Sequence, residues 1–276
     1  RPPLDSVDCL GNDKRPYLPV ALFGSTLFEA IHMMMLQFPL IRDMCGGAYQ
    51  IRWFFLAVYA VTLSCMVYCV LCDPGKWQRD DMEAYAQLHQ MSEGEDLPMP
   101  HRCHKMWLFK QPIRRYDHYC RWLTNAIGLL NHREFAVMTG GFATIGVCGA
   151  LLDFILVVAT SSQGHHFFTV FLLLMHLTYS LLLSALAVPI LRLHAGFICR
   201  NELANEWKQN LFYVVRDERG KPTPVNELDE ETFNDHFDNE RFEYEPSMNS
   251  WDKGWEENCL AFWCVPRWPT NQRGDF

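Results

Sequence analysis

WFFLAVYAVTLSCMVYCVLC, from Trp53 to Cys72, contains no charged residue. At the rise of an α-helix such a run reaches about 30 Å, the thickness of a hydrocarbon core. A soluble helix of that length would keep a polar face, and this one has none. Phe167 to Leu191 reads the same way. Phe135 to Thr160 is a third apolar stretch, interrupted by Asp153, with Gly141, Gly146, Gly149 and Ala150 at points where helices can approach closely. Tyr17 to Ile41 is the most polar of the four, because Glu29, His32 and Gln37 are costly in lipid unless they face protein or water. An amphipathic soluble helix is the alternative there. Taken as a span, it gives four transmembrane helices.

The mean hydropathy of the whole chain would suit a soluble protein only because apolar blocks average against a polar centre and an acidic tail. The 276 residues carry a formal net charge of -8, without the basic face that nucleic acid requires. Several of the 11 cysteines, Cys65, Cys69 and Cys148 among them, fall inside apolar stretches, where a thiol behaves as a small hydrophobe rather than as part of a disulfide framework. The chain opens Arg-Pro-Pro, which reads as a fragment or as a form whose targeting segment has been removed.

The loops fix an expected topology. Between Asp73 and Arg133 lie Lys76, Arg79, Arg102, Lys105, Lys110, Arg114, Arg115, Arg121 and Arg133, whereas Ser161 to His166 holds no Lys or Arg. The positive-inside rule puts the long loop on the cytosolic or equivalent side, together with the tail from about Arg192 and the N-terminus. The expected organisation is an N-terminal segment (1–16), the first two helices (17–72), a central loop domain (73–134), the last two helices (135–191) and a tail (192–276) whose acidic part, Asp217 to Glu245, reads as a solvated excursion.

Near the end of the loop stands Asp117-His118-Tyr119-Cys120. A thiolate is a nucleophile, an imidazole beside it can take its proton, and a carboxylate can orient the imidazole. Four residues alone occur by chance, so the surroundings matter. Trp122, Asn125, Gly128, Asn131 and Phe135 follow the motif. Pro100, Arg102 and Arg115 precede it, and Asp73-Pro74-Gly75 follows the second helix. His194, Ile198 and Asn201-Glu202-Leu203-Ala204-Asn205-Glu206 lie after the fourth helix, and Asn249-Ser250-Trp251-Asp252-Lys253-Gly254 with Asn258 and Phe262 near the end. In this order the elements resemble those of the DHHC family of protein S-acyltransferases, with Tyr119 in place of the second His and Leu203-Ala204 in place of two threonines. The fold class expected is an all-α membrane protein, a DHHC-like bundle of four helices with loop domain and tail on one side.

The resemblance implies that Cys120 carries the acyl group, His118 acts as base and then acid, and Asp117 orients it. It implies acyl-CoA as a substrate, and Arg114, Arg115 and Arg121 as candidates for its phosphates, although basic residues beside a span are also expected from topology. Membrane lipid and proteins with membrane-proximal cysteines would be its partners. The family holds its loop with two zinc ions, and the corresponding positions here read Ser92, Glu95, Lys105, Met106, Phe109, Pro112 and Ala126. None of these replaces a thiolate or imidazole, so no structural zinc is expected. Packing by Trp107, Leu108, Phe109, Tyr116 and Trp122 is the expected substitute, and His101, Cys103, His104 and His118 are the residues from which a different, strained metal site would have to be built.

Two other classes remain open from sequence. One is a catalytically inactive fold serving as an accessory subunit among other membrane proteins, for which the missing ligands and the aromatic tail (Trp251, Trp255, Leu260, Phe262, Trp263, Trp268) speak. The other is transport through Glu29, His32, Asp153 and His176, whose simpler reading is mutual hydrogen bonding in the bundle. The location expected is an endomembrane by resemblance, or an organellar inner membrane from the processed-looking N-terminus.

Overall fold

The computed structural model describes residues 17–46, 50–77, 101–162, 167–217, 219–238 and 242–267. Arg79, Ser92, Glu95, Pro100, Trp268 and the segment 1–16 lie outside them. The chain divides into two compact units, one of residues 1–72, 120–125 and 131–193, the other of 73–119, 126–130 and 194–276.

The first unit is helical. Helix α1 (Tyr17–His32) passes through one π-helical turn (Met33–Gln37) into α2 (Phe38–Cys45), and α3 (Ile51–Leu71) follows. Helix α4 covers His132–Ser162 and α5 covers Phe167–Arg200. Among the described residues four helices, with α1 and α2 counted as one, are long and apolar enough to cross a membrane. The four expected spans are found, and the protein is an integral membrane protein.

Small residues set the contacts between these helices. A side chain at Gly141 of α4 would overlap Thr62 of α3, and one at Gly146 would lie 2.6 Å from Ser184 Oγ and 2.8 Å from its backbone nitrogen on α5. Thr26 of α1 and Tyr179 of α5 share a hydrogen bond of 3.2 Å. Phe154, Ile155, Leu181, Leu182 and Leu186 are exposed on the outer faces, as lipid-facing side chains are.

The second unit combines turns, short helices and short strands within a chain that is mostly helical, as expected. Strand β1 (His118–Cys120) pairs with β2 (Asn125–Ile127) in a hairpin. After the short helix α6 (Ala204–Lys208), strand β3 (Tyr213–Arg216) lies between β4 (Pro222–Pro224) and β5 (Glu243–Tyr244), with Val214 opposite both Pro224 and Glu243. Strands this short carry no readable alternation. The acidic segment is more than a solvated excursion, since it also forms α7 (Glu230–Asp238), where Phe233, Phe237 and Phe242 stack together. Helix α8 (Trp255–Cys264) closes the described chain with Trp255, Leu260 and Trp263 exposed and Phe262 buried.

Candidate active site

Backbone bonds build the loop of the second unit. Asp73 Oδ1 accepts from the N–H groups of Gly75 (2.9 Å) and Lys76 (2.8 Å), which folds the chain back as it leaves α3. Gly75 O then accepts from Arg114 N and Pro74 O from Leu130 N, while His104 and Ile113 exchange both backbone bonds. Gly75 has φ +109°, a region other residues avoid. The motif residues Asp73, Pro74 and Gly75 thus thread the loop between segments 113–114 and 129–130.

At the centre of the loop Met106, Ile113 and Ala126 form an apolar core against which Leu108, Phe109, Tyr116 and Tyr119 pack. Met106, Phe109 and Ala126 stand at positions where the resemblance calls for zinc ligands, and Lys76 Nζ lies 4.8 Å over the Phe109 ring. These side chains do not fit zinc. Trp122, expected in the packing, is half exposed instead, on the hairpin loop, and Trp107 meets Tyr119 edge-on at 5.2 Å.

Asp117 is fully buried, its N–H held by Ile127 O at 2.9 Å. Its Oδ2 lies 2.6 Å from His118 Nδ1, and its Oδ1 accepts from Ala204 N–H at 2.8 Å, at the start of α6. Both oxygens are therefore committed. His118 is partly exposed. Burial, and then the Asp117 charge, push the Tyr116 hydroxyl up. Cys120 ends β1, falls in the first unit and is partly exposed.

His194 joins this pair, with its ring centroid 5.5 Å from that of His118 and its Nδ1 3.9 Å from Asp117 Oδ2. The sequence marks His194 only as a residue in register, because its approach to position 117 is a tertiary event. Asp117, His118 and His194 have converging ligand atoms, but the short Asp117–His118 bond suits an oriented imidazole better than a metal. Among the described residues His101, Cys103 and His104 enter no such group, and His104 instead stacks on Tyr116 at 4.8 Å.

The three candidate arginines differ. Arg114 and Arg115 are buried, Arg115 Nη2 donating to Asn201 Oδ1 at 3.0 Å, whereas Arg121 is exposed. The Arg102 side chain is nearly inaccessible, and donates to both oxygens of Glu206 and to Asn201 with its guanidinium 4.6 Å from the Trp251 ring centroid. In the first unit Asn125 donates to Cys69 O (2.9 Å) and Cys72 O (3.0 Å), satisfying carbonyls at the end of α3.

A family model described as DHHC palmitoyltransferase matches residues 89–210. The chain is similar to Palmitoyltransferase AKR1 of Yarrowia lipolytica, 27% identical over 111 residues that cover 35% of this chain and 16% of that protein. It is also similar to Palmitoyltransferase AKR1 of Mortierella alpina, 26% identical over 157 residues, 50% of this chain and 26% of that protein. It thus spans about a sixth and a quarter of these relatives. The matched region contains the Asp117–His118 pair, Cys120, His194 and Glu206, so this part of the chain is similar to the DHHC palmitoyltransferases.

Proposed function

We propose that this chain transfers a long-chain acyl group from acyl-CoA to protein cysteines through a thioester on Cys120. The observation that carries the reading is the 2.6 Å bond from His118 Nδ1 to the buried Asp117, which leaves Nε2 as the basic nitrogen. Nε2 takes the Cys120 proton, the sulfur attacks the thioester carbonyl, and the bond from that carbon to the coenzyme A sulfur breaks as the new one forms. The proton passes from His118 to the departing thiolate. In the second half a substrate thiol gives its proton to Nε2 and attacks the acyl group, and Cys120 leaves as the thiolate.

Arg121 is the exposed cation next to the nucleophile and the candidate for the coenzyme A phosphates, while Arg114 and Arg115 shape the loop. An apolar groove of about 640 Å³ in the first unit, lined by Phe23 of α1 and by Leu63, Val67 and Leu71 of α3, has the character an acyl chain requires. The loop holds together without structural zinc, through its apolar core, and no step passes through a metal. Substrate proteins with membrane-proximal cysteines and further membrane subunits, against Trp255, Leu260 and Trp263, are the partners the reading implies, in an endomembrane or an organellar inner membrane.

Acyl-CoA labelling of the purified protein in detergent tests it. A hydroxylamine-labile adduct is expected, absent in Cys120→Ser and much weaker in His118→Ala. An adduct that persists in both variants sits on another cysteine and ends the proposal.

A further inference from the structure

Within the first unit, polar side chains distant in sequence meet between the helices. Glu29 and His32 come from α1, Gln37 from the π-helical turn after it, Asp153 from α4, and His176 and Ser180 from α5. Asp153 is fully buried and accepts at Oδ2 from His176 Nδ1 (2.6 Å) and Ser180 Oγ (3.1 Å), and at Oδ1 from Gln37 Nε2 (2.7 Å). A π-helical turn inside an α-helix is frequent at functional sites, and here it delivers Gln37 to that carboxylate.

The second half of the cluster is different. Glu29 Oε2 lies 3.5 Å from His32 Nδ1 and 3.6 Å from His176 Nε2, and one ligand-type atom from each residue lies within 4.8 Å of the others. Glu29 Oε2, His32 Nε2 and His176 Nε2 are buried without a hydrogen-bond partner, and His176 is only 1% exposed. A buried polar atom without a partner costs about 1–3 kcal/mol. With its Nδ1 proton directed at Asp153, His176 turns the lone pair of Nε2 toward the carboxylate of Glu29. Two lone pairs facing each other need a positive centre between them. A shared proton would draw the atoms to roughly 2.7–3.2 Å. Ligands of a tetrahedral zinc ion, at bonds of about 2.0–2.1 Å, lie roughly 3.3 Å apart, close to the spacing seen.

We infer that Glu29, His32 and His176 form a binding site for a divalent transition cation of the zinc type inside the helix bundle. Two imidazoles and a carboxylate are a common zinc donor set, with the fourth position left for water. Asp153 fixes the tautomer of His176 from behind, as carboxylates do for metal-bound imidazoles. The ion would tie α1 to α5, and through Asp153 to α4. It would be distinct from the zinc positions implied for the loop, three of which hold Met106, Phe109 and Ala126.

The test uses the full chain in detergent, stripped with a chelator, dialysed and titrated with Co²⁺ as the spectroscopic probe. Saturation of a visible tetrahedral band near one equivalent is expected, abolished by Zn²⁺ competition, lost in the near-isosteric Glu29→Gln and in His176→Ala, and retained in His118→Ala. Asp153→Asn is expected to weaken binding roughly 10- to 100-fold. Circular dichroism and size-exclusion elution check that each variant is folded, and Glu29→Gln decides if His176→Ala is not. Failure of the wild-type chain to hold Co²⁺, or an unchanged band in folded Glu29→Gln, overturns the site.

Discussion

Arg102 and Glu206, 104 positions apart, are joined by two hydrogen bonds, Nε to Oε1 at 2.8 Å and Nη2 to Oε2 at 2.9 Å, with both side chains nearly inaccessible. Glu206 Oε2 also accepts from Leu203 N–H at 2.8 Å. Removing one member of a buried pair leaves the other charge desolvated, at a cost of about 3–5 kcal/mol. Glu206→Ala is therefore expected to lower the thermal midpoint in mild detergent sharply. Glu243→Ala, which breaks the exposed pair with Arg216 (3.0 Å), is expected to change stability by less than about 1 kcal/mol. Similar midpoints for the two variants would show that Arg102 does not depend on Glu206.

Asp117→Asn tests orientation separately from the nucleophile. Asparagine can still accept from Ala204 N–H, but its amide cannot hold the same His118 tautomer as a charged carboxylate, and the analogous change in a hydrolytic triad costs about 10⁴ in turnover. If the proposed function holds, acyl transfer is expected to fall by roughly two to four orders of magnitude while Cys120 stays open to a small alkylating reagent. Transfer at the wild-type rate would remove Asp117 from the mechanism.

The four helices were legible because each is a long apolar run, and Asp117, His118 and Cys120 were legible because they adjoin in sequence. His194 was not, since its approach to Asp117 depends on packing between separate segments; mutual hydrogen bonding of the polar residues in the spans was expected, as His176 and Asp153 show, but which side chains pair was not. The loop shows both sides of this limit. Absence of the zinc ligands is plain from residue identity, yet Met106 and Ile113 at the core, with Trp122 exposed, could not be ranked without the backbone bonds that set their direction.

That core leads to a prediction about the loop. Because Met106, Ile113 and Ala126 hold it together, hydrogen exchange over residues 101–119 is expected to be the same with and without a chelator, whatever happens to the helices. Ile113→Ala removes a fully buried side chain at about 2–5 kcal/mol and should raise exchange there. A loop that opens on chelation would mean that it depends on metal after all.

Glu202 makes stability fall with rising pH. Burial pushes its carboxyl up, and Arg200, 2.9 Å away, only partly pulls it back. A raised folded-state value means that the folded chain holds the proton more tightly than the unfolded chain, so the contribution is complete below the unfolded value near 4.5 and is lost as pH rises through the folded one. Thermal midpoints from pH 4 to 8 should therefore fall for the wild-type relative to Glu202→Gln, which cannot titrate. Parallel curves would mean that Arg200 compensates fully for burial.

Gly128→Ala should disorganise the loop although the change adds only a methyl group. A Cβ at that position would stand 2.7 Å from Pro74 O, 2.7 Å from Ile113 Cγ2 and 3.1 Å from Arg114 O. Two of these are backbone oxygens, and neighbouring bonds hold both segments: Leu130 N donates to Pro74 O, Leu129 N to Arg114 O, and Arg114 N to Gly75 O. The strain cannot be relieved by rotating a side chain, so the segments must separate and stretch the bonds that position Asp117 through Ile127. Overpacking of this kind costs about 1–3 kcal/mol. Gly24→Ala is the control, because nothing lies within 4 Å of the added carbon and alanine favours the helix by about 1 kcal/mol. Thermal melts should show Gly128→Ala destabilised and Gly24→Ala unchanged or stabilised, and hydrogen exchange should place the loss in residues 112–119. If Gly128→Ala melts with the wild-type and keeps its exchange pattern, the loop has slack at this contact and the glycine is not required by packing.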